Sequence, residues 1–415
     1  MNYIRLARSY PNYLGYGMLH YFFSCMGQTF LISTFVPYFV DSLSVTNSSF
    51  SLIYGLATVS SAMILPFAGK LIDQFRLRNL SVIAGIGLSL ACLLTSFSAN
   101  IFILFFGLLI LRFFGQGMMV LIGSTSIARY FDLTRGKALS LSSMGLPIAE
   151  SFMPVVIISL IQSFGWPATW QILAAATLIV FVPTAIMLVK SNNPFQFVPQ
   201  EKDPAQQKGN IEGSPVQNAT RKEVLRDWRF YLLVPGLIFL PLFITGIFIH
   251  QNLLAEAKGW TMQWMASCFV GFGIARISTN FIAGSLIDSF SSRNVFIFYL
   301  LPIALGLGTL LLGNHPWLAM IYMVLAGITA SLSGLTSASL WAEIYGVRHL
   351  GAIKSMTTTL MVLASAIGPI IVGFGMERNP NATLIASIAS IGLITIMSWV
   401  AIRATESSKK QVAKV

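Results

Sequence analysis

The chain has 415 residues, of which 55% are hydrophobic and only 10% are charged, and its formal net charge is +12. Water-soluble domains carry roughly a quarter charged residues. This composition excludes a soluble globular protein and indicates that much of the apolar surface faces lipid.

Twelve apolar stretches follow one another along the chain, each near the roughly 20 residues that a helix needs to cross a bilayer core of about 30 Å. Runs such as residues 101–111 are continuously apolar and lack the alternation of a β-barrel strand. The first stretch has no small-residue cleavage site, so we interpret it as a helix and not as a signal peptide. We number the predicted spans 1 to 12: 14–38, 50–69, 79–98, 101–123, 138–163, 167–190, 230–252, 263–287, 294–313, 316–340, 352–375 and 382–403.

Basic residues are concentrated in alternate connections between these spans. They precede span 1, follow spans 2 and 4, occur throughout the middle loop and end the chain, whereas the opposite connections hold only Lys258 and Arg378. Lysine and arginine accumulate on the cytoplasmic side of membrane proteins. We therefore expect cytoplasmic termini, a location in the cell inner (plasma) membrane, and no nucleic-acid partner.

Span 1 carries polar side chains at a helical spacing. His20, Ser24 and Gln28 are each four residues apart, so a continuous helix would present them on one face. For His20, both a role in a cavity and simple hydrogen bonding between helices are open.

Spans 4 and 5 each place an ionisable residue near the middle of the membrane, where an unpaired charge is costly and a functional role is the first hypothesis. These residues are Arg112 and Glu150. Because adjacent helices run in opposite directions, the two side chains could meet at a similar depth. Two interpretations stay open, a buried ion pair that stabilises the first half of the chain and a functional site in which Arg112 binds substrate and Glu150 exchanges a proton.

Residues 191–229 interrupt the apolar pattern with four prolines and many polar residues, which is typical of a linker. We predict a first domain at 1–190, a cytoplasmic linker at 191–229 and a second domain at 230–415. The end of the linker, 221–231, mixes basic and apolar residues and predicts a short helix on the membrane surface.

Span 8 carries Arg276 about halfway along its length, with no carboxylate later in the same span before Asp288. A guanidinium facing a cavity suits a carboxylate substrate, because its fork matches both carboxylate oxygens. Hydrogen bonding to carbonyl or hydroxyl groups of neighbouring helices is the alternative. Glu343, at the end of span 10, is expected to form a surface ion pair with the nearby Arg348.

The connection between spans 2 and 3 is repeated between spans 8 and 9 at a displacement of 215 residues. Both copies contain the pattern Gly-x-Leu-x-Asp-x-x-x-x-Arg, and a parallel repeat of six helices is a known plan for secondary transporters. The carboxylates could accept hydrogen bonds from a neighbouring helix N-terminus and act as a gate. The gating residues are Gly69, Asp73 and Arg78 in the first copy and Gly284, Asp288 and Arg293 in the second.

This repeated segment resembles the signature loop of the Major Facilitator Superfamily. The resemblance implies an all-α membrane protein with twelve transmembrane helices in two six-helix bundles, working as a monomer by alternating access. Because the first helix lines the cavity in this family, it also implies substrate-binding roles for His20 and Gln28, with His20 a second candidate for proton coupling. Arg276 together with Lys354 of span 11 is similar to the paired cations of the monocarboxylate and oxalate/formate branch, although Lys354 could also extend to water.

Motifs for enzymatic chemistry are absent from the sequence. It has no Walker loop, no His/Cys metal cluster and no nucleophile elbow, and its three cysteines all fall inside predicted spans. We expect no enzyme, cofactor or metal. The sequence predicts a secondary transporter of a small solute, favouring an organic anion such as a mono- or dicarboxylate moved with protons. Drug or metabolite efflux is the alternative within the fold, and a sensor that transports nothing is the alternative outside it.

Overall fold

A computed structural model describes residues 3–131, 135–189, 219–346 and 349–412, without the side chains at 68–74, 135, 283–288, 338 and 406–412. These described residues form helices and contain no strand. The chain divides into two compact units, Met1–Glu212 and Gly213–Val415.

The described part of the chain contains eleven helices long and apolar enough to cross a membrane, or twelve when one bent pair counts as a single span. The prediction of an all-α protein with twelve spans is therefore confirmed. Spans 1 to 6 lie in the first unit, at Pro11–Gly27 with Thr29–Ser42, Asn47–Phe67, Leu77–Ser96, Ile101–Tyr130, Gly136–Phe164 and Trp166–Leu188. Spans 7 to 12 lie in the second, at Trp228–Ile249, Met262–Ile282, Ser289–Leu311, Trp317–Tyr345, Leu350–Arg378 and Pro380–Thr405. Shorter helices occur at Tyr3–Ser9, Arg221–Val224 and Gln251–Lys258.

Several span ends follow from local side-chain chemistry. Asn100 caps span 4 by accepting a hydrogen bond from the Ile103 amide at 3.0 Å. Thr261 caps span 8 in the same way, with the Trp264 amide at 3.2 Å. Such caps satisfy amides that have no partner within the helix. These two side chains therefore fix where spans 4 and 8 begin.

Span 1 lies between spans 4 and 5 in the first unit, and glycines allow the close contact. A Cβ atom on Gly115 would lie 2.6 Å from the Gly27 amide nitrogen, and one on Gly145 would lie 2.9 Å from the Phe22 amide nitrogen. Lipid provides little hydrophobic drive between helices, so close backbone packing at small residues stabilises the bundle instead.

The segment before span 7 is attached to the end of span 10. The Ala219 amide donates to the Tyr345 carbonyl at 3.0 Å, and the Tyr345 hydroxyl donates to Asp227 at 3.1 Å. The predicted surface helix is a single turn, in which both the amide and the hydroxyl of Thr220 donate to the Glu223 carboxylate. These bonds lower the pKa of Glu223, so the turn keeps this cap at neutral pH and loses it as the pH falls through the lowered value. The rest of the predicted linker, 191–218, lies outside the described residues.

Candidate functional site

Span 1 is broken near its middle. Residues Ser24–Gly27 form a 3₁₀ turn and Gln28 is extended, with φ −88° and ψ 151°. The two halves of the span meet at an angle of 42°. Serine and glycine are weaker helix formers than alanine or leucine, and the break leaves main-chain groups of Gly27 and Gln28 outside the regular helical pattern. Discontinuous helices of this kind form the solute sites of many transporters.

Arg112 of span 4 lies against this break. Its side chain is almost fully buried, with 1% exposure, and its Nη1 donates to the Gly27 carbonyl at 3.1 Å. The same nitrogen lies 3.5 Å from the Thr29 hydroxyl, and the guanidinium carbon lies 5.1 Å from the centre of the Tyr54 ring. Thr29 and Tyr54 share a hydrogen bond of 2.7 Å. The guanidinium is thus held by three groups from spans 1 and 2.

Two nitrogens of Arg112 have no hydrogen-bond partner among the described residues. Both Nε and Nη2 are buried, and they form one edge of the guanidinium fork. The third nitrogen, Nη1, is the one that lies near Thr29, the first residue of the second half of span 1. A buried donor without a partner is costly, and two parallel N–H groups of an arginine fork match the two oxygens of a carboxylate. The arrangement can bind a carboxylate.

The contact between Arg112 and Glu150 that the sequence allows is not among the contacts of the described residues. Arg112 is directed instead towards the break in span 1, because span 4 is π-helical over Arg112–Met119 and contacts Gly27 through Gly115. Glu150 is also buried, at 6% exposure, and its carboxyl lies close enough to Cys25 for an electrostatic interaction. Both ionisable groups therefore lie near the break in span 1, through separate contacts.

His20 occupies a different environment from Gln28. Its Nδ1 lies 2.8 Å from the Tyr16 carbonyl and its Nε2 lies 2.9 Å from the Ser81 hydroxyl, while the Phe181 ring covers it at 5.0 Å. The side chain is fully buried, whereas Gln28 is half-buried at the break. The single face expected for the two residues does not form, because the helix is interrupted between them. For His20 the observed contacts favour hydrogen bonding between helices.

The predicted cations of the second unit lie on separate helices. Arg276 is half-buried on span 8, and Asn280 one turn later accepts a hydrogen bond from Ser331 of span 10. Lys354 is half-buried in the second turn of span 11. Arg112 belongs to the first unit, and these two cations belong to the second.

Only part of the predicted gate falls within the described side chains. Those of Gly69, Asp73, Gly284 and Asp288 lie outside the described part, and Arg78 is half-buried at the start of span 3. The helices extend beyond the predicted ends of spans 2 and 8. In the first copy of the loop the helix continues to Gln74, and in the second it continues through Asp288.

Glu343 of span 10 caps the start of span 9, a contact that the sequence analysis missed. The chain turns at Ser291, which has a φ of +63°, and the next amide, that of Ser292, donates to Glu343 Oε1 at 2.9 Å. Glu343 Oε2 lies 3.4 Å from Arg293 Nε. The expected partner Arg348 lies outside the described residues. Glu343 of span 10 therefore supplies a carboxylate at this helix N-terminus.

Replacing Glu343 with alanine is expected to lower the free energy of unfolding by about 1–2 kcal/mol, because the Ser292 amide loses its cap and Arg293 its ion pair. Glu343→Gln keeps an acceptor for the amide and should lose less. Thermal unfolding in detergent would measure both changes. Glu256→Ala, at an exposed carboxylate on another helix, is the control, and an equal effect there would contradict a specific cap.

Comparisons with known proteins agree with this architecture. The family model described as Major Facilitator Superfamily matches residues 17–271 and 237–415. Monocarboxylate transporter 14 of Homo sapiens is 29% identical over 164 residues, which are 38% of this chain and 32% of that protein, so the match spans about a third of that relative. Monocarboxylate transporter 6 of Homo sapiens is 22% identical over 387 residues, covering 89% of this chain and 76% of that protein.

The fold also matches a solved transporter structure. A bacterial homologue of the human lysosomal transporter Spinster superimposes with a TM-score of 0.70 at 15% identity, covering 96% of this chain and 97% of that one. At this identity the likeness concerns the fold alone. With the family match over most of the sequence, the chain is a membrane transporter and not an enzyme, and it belongs to the Major Facilitator Superfamily.

Proposed function

We propose that this transporter is a secondary carrier of a small organic anion, such as a mono- or dicarboxylate, that moves together with protons by alternating access. The observation that carries the proposal is the buried fork of Arg112, with Nε and Nη2 lacking partners among the described residues. The remaining guanidinium nitrogen is held by Gly27. This leaves one edge of the cation in position for a ligand.

A carboxylate is the ligand class that this edge suits best. Two parallel N–H groups match two carboxylate oxygens, and the bonds are stronger than those between neutral groups. A buried charge that no opposite charge balances costs several kcal/mol, so a neutral solute would leave that cost in place while an anion would offset it. The names of the two human relatives, both monocarboxylate transporters, support the same class.

The other predicted residues are given separate roles in this proposal. Gln28 lies at the break in span 1 and is proposed to contact the same ligand. Arg276 and Lys354 are proposed as anion-binding residues of the second unit. His20, whose two ring nitrogens both have partners, is proposed to hold span 1 against span 3.

The proposal also covers the topology, the membrane location, the oligomeric state and the gate. We propose cytoplasmic termini and a location in the inner (plasma) membrane on the basis of the basic-residue pattern, and a working monomer on the basis of the family. The repeated loop is proposed as the gate, and its Arg293 lies 3.4 Å from Glu343 of span 10.

Glu150 is the proposed proton carrier, because it is a buried carboxyl beside the break in span 1. We expect Glu150→Gln to reduce accumulation driven by a pH gradient at least about tenfold, since an amide neither binds nor releases a proton. Exchange of labelled for unlabelled anion, which needs no net proton movement, should persist. Asp41→Asn, at an exposed carboxylate, is the matched control. Gradient-driven accumulation that survives Glu150→Gln would remove this role.

Uptake into proteoliposomes tests the function as a whole. Purified protein is reconstituted, an inward proton gradient is imposed, and a panel of labelled mono- and dicarboxylates is compared with neutral and cationic solutes. We expect saturable uptake of at least one carboxylate that collapses with a protonophore. Uptake of cationic or neutral drugs alone, by the same active preparation, would favour the efflux alternative.

A further inference from the structure

The second unit contains a groove between spans 7, 11 and 12. Its volume is about 640 Å³. Leu242 and Phe243 of span 7 and Ile371 and Phe374 of span 11 form two of its walls. Ile371 and Phe374 are more than half exposed, at 55% and 53%, so the groove is open along its side.

Span 12 forms the third wall with small residues, which is why a groove exists there. Thr383, Ser387 and Ser390 face it together with alanines. Their hydroxyls donate to carbonyls of the preceding turn, at 3.0, 2.8 and 2.8 Å respectively. Since these donors are already used within the helix, the wall behaves as an apolar surface and suits hydrocarbon.

The open end of the groove carries a positive charge. Arg378 is exposed at the last residue of span 11, with its guanidinium carbon 4.1 Å from the centre of the Phe374 ring, and Asn379 follows it. The neighbouring Glu377 interacts electrostatically with the buried His250 of the same unit. Among the residues that line the groove, Arg378 is the charged one, and it lies at the mouth.

The length of the groove corresponds to one leaflet of the membrane. Twelve residue steps separate Ala382 from Ile394 on span 12, about 18 Å at the helical rise of about 1.5 Å per residue. Half of a bilayer core of about 30 Å is about 15 Å. A chain lying in the groove would reach the bilayer centre with its polar end beside Arg378.

We propose that this groove binds an anionic phospholipid, with an acyl chain along span 12 and the phosphate beside Arg378. The charge at the mouth and the hydrocarbon walls match the two parts of such a lipid. A helix from a second copy of this chain would also suit a small-residue wall, but it would cross both leaflets, whereas the groove extends through one. Lipid binding here is independent of which solute the protein carries.

Native mass spectrometry of the detergent-purified full-length protein tests this site. The protein is incubated with equal amounts of phosphatidylglycerol and phosphatidylcholine that have the same acyl chains. We expect wild type to retain phosphatidylglycerol about fivefold more than phosphatidylcholine, the preference that one arginine near a membrane surface supports. Arg378→Gln should bring that ratio close to one, and Ala386→Trp, which fills the groove, should reduce retention of both lipids.

Arg403→Gln is the matched control, because Arg403 also lies over an aromatic ring, that of Trp399, at the opposite end of span 12. It should leave the ratio unchanged. Only variants with the melting temperature of wild type are compared. If Ala386→Trp does not fold, Arg378→Gln, at an exposed position, decides the result. An unchanged ratio in Arg378→Gln would overturn the proposal. A wild-type dimer that Ala386→Trp converts to monomer, without loss of lipid, would assign the groove to a second copy instead.

Discussion

Replacing Arg112 with alanine is expected to reduce the initial rate of carboxylate uptake at least about 30-fold, because losing one partner of a buried charged contact costs about 2–5 kcal/mol. Arg112→Lys should recover part of the rate, since it restores the charge without the two-pronged geometry. Initial rates in proteoliposomes, normalised to the amount of reconstituted protein, would measure both. Arg129→Gln, near the end of the same span, is the matched control.

Arg112 also holds the Gly27 carbonyl, so a loss of activity alone does not separate binding from folding. The second measurement is the rise in melting temperature caused by saturating substrate, which reports binding to the folded state. We expect Arg112→Ala to abolish that rise while the protein still elutes as a single species. Full uptake and a normal substrate-induced shift in Arg112→Ala would reject the anion site at the break in span 1.

Gly368→Ala should destabilise the second unit by about 1–3 kcal/mol, the usual cost of forcing extra atoms into a close-packed contact. Gly368 of span 11 lies directly against the backbone of span 7, and a Cβ atom there would lie 2.8 Å from the carbonyl carbon of Leu242 and 3.1 Å from its Cα. Backbone cannot rotate away as a side chain can, so spans 7 and 11 would have to separate. Thermal unfolding in detergent measures the change.

Gly392→Ala provides the matched comparison within the same unit. Gly392 also lies inside a helix, that of span 12, but a Cβ atom there would meet no atom within 4 Å. Alanine is the better helix former by about 1 kcal/mol, so this variant should be neutral or slightly more stable. Equal destabilisation by both substitutions would show that the contact between spans 7 and 11 is not what Gly368 provides.

The twelve spans were predictable because the bilayer imposes one requirement on every helix that crosses it, a run of apolar residues of the right length. That requirement concerns consecutive residues, so it can be recognised in the sequence without knowing which helices are neighbours. The repeated loop was visible for the same reason, as a local pattern that recurs at a fixed displacement. Local signals of this kind also identified Arg112, Glu150 and Arg276 as ionisable residues inside spans.

The partners of those residues were not predictable. The sequence allowed Arg112 to meet Glu150 at a similar depth, but Arg112 donates to the Gly27 carbonyl, because the break in span 1 exposes that carbonyl and the Gly27–Gly115 contact brings span 4 against it. Sequence offered only Ser24 and Gly27 as a weak sign of the break. His20 and Gln28 were assigned to one face for the same reason, since the assignment assumed a continuous helix.

The sequence by itself thus determined that this protein is a twelve-span transporter of the Major Facilitator Superfamily, and which few residues carry charge into the membrane. Only the tertiary structure decided that Arg112 has two buried guanidinium nitrogens without partners near a broken helix, that Glu343 of span 10 accepts a hydrogen bond from the Ser292 amide, and that small residues of span 12 leave a groove below Arg378. The physical reason is the range of the interactions. Crossing a membrane depends on consecutive residues, whereas a hydrogen bond or a groove depends on atoms brought together from helices far apart in the chain.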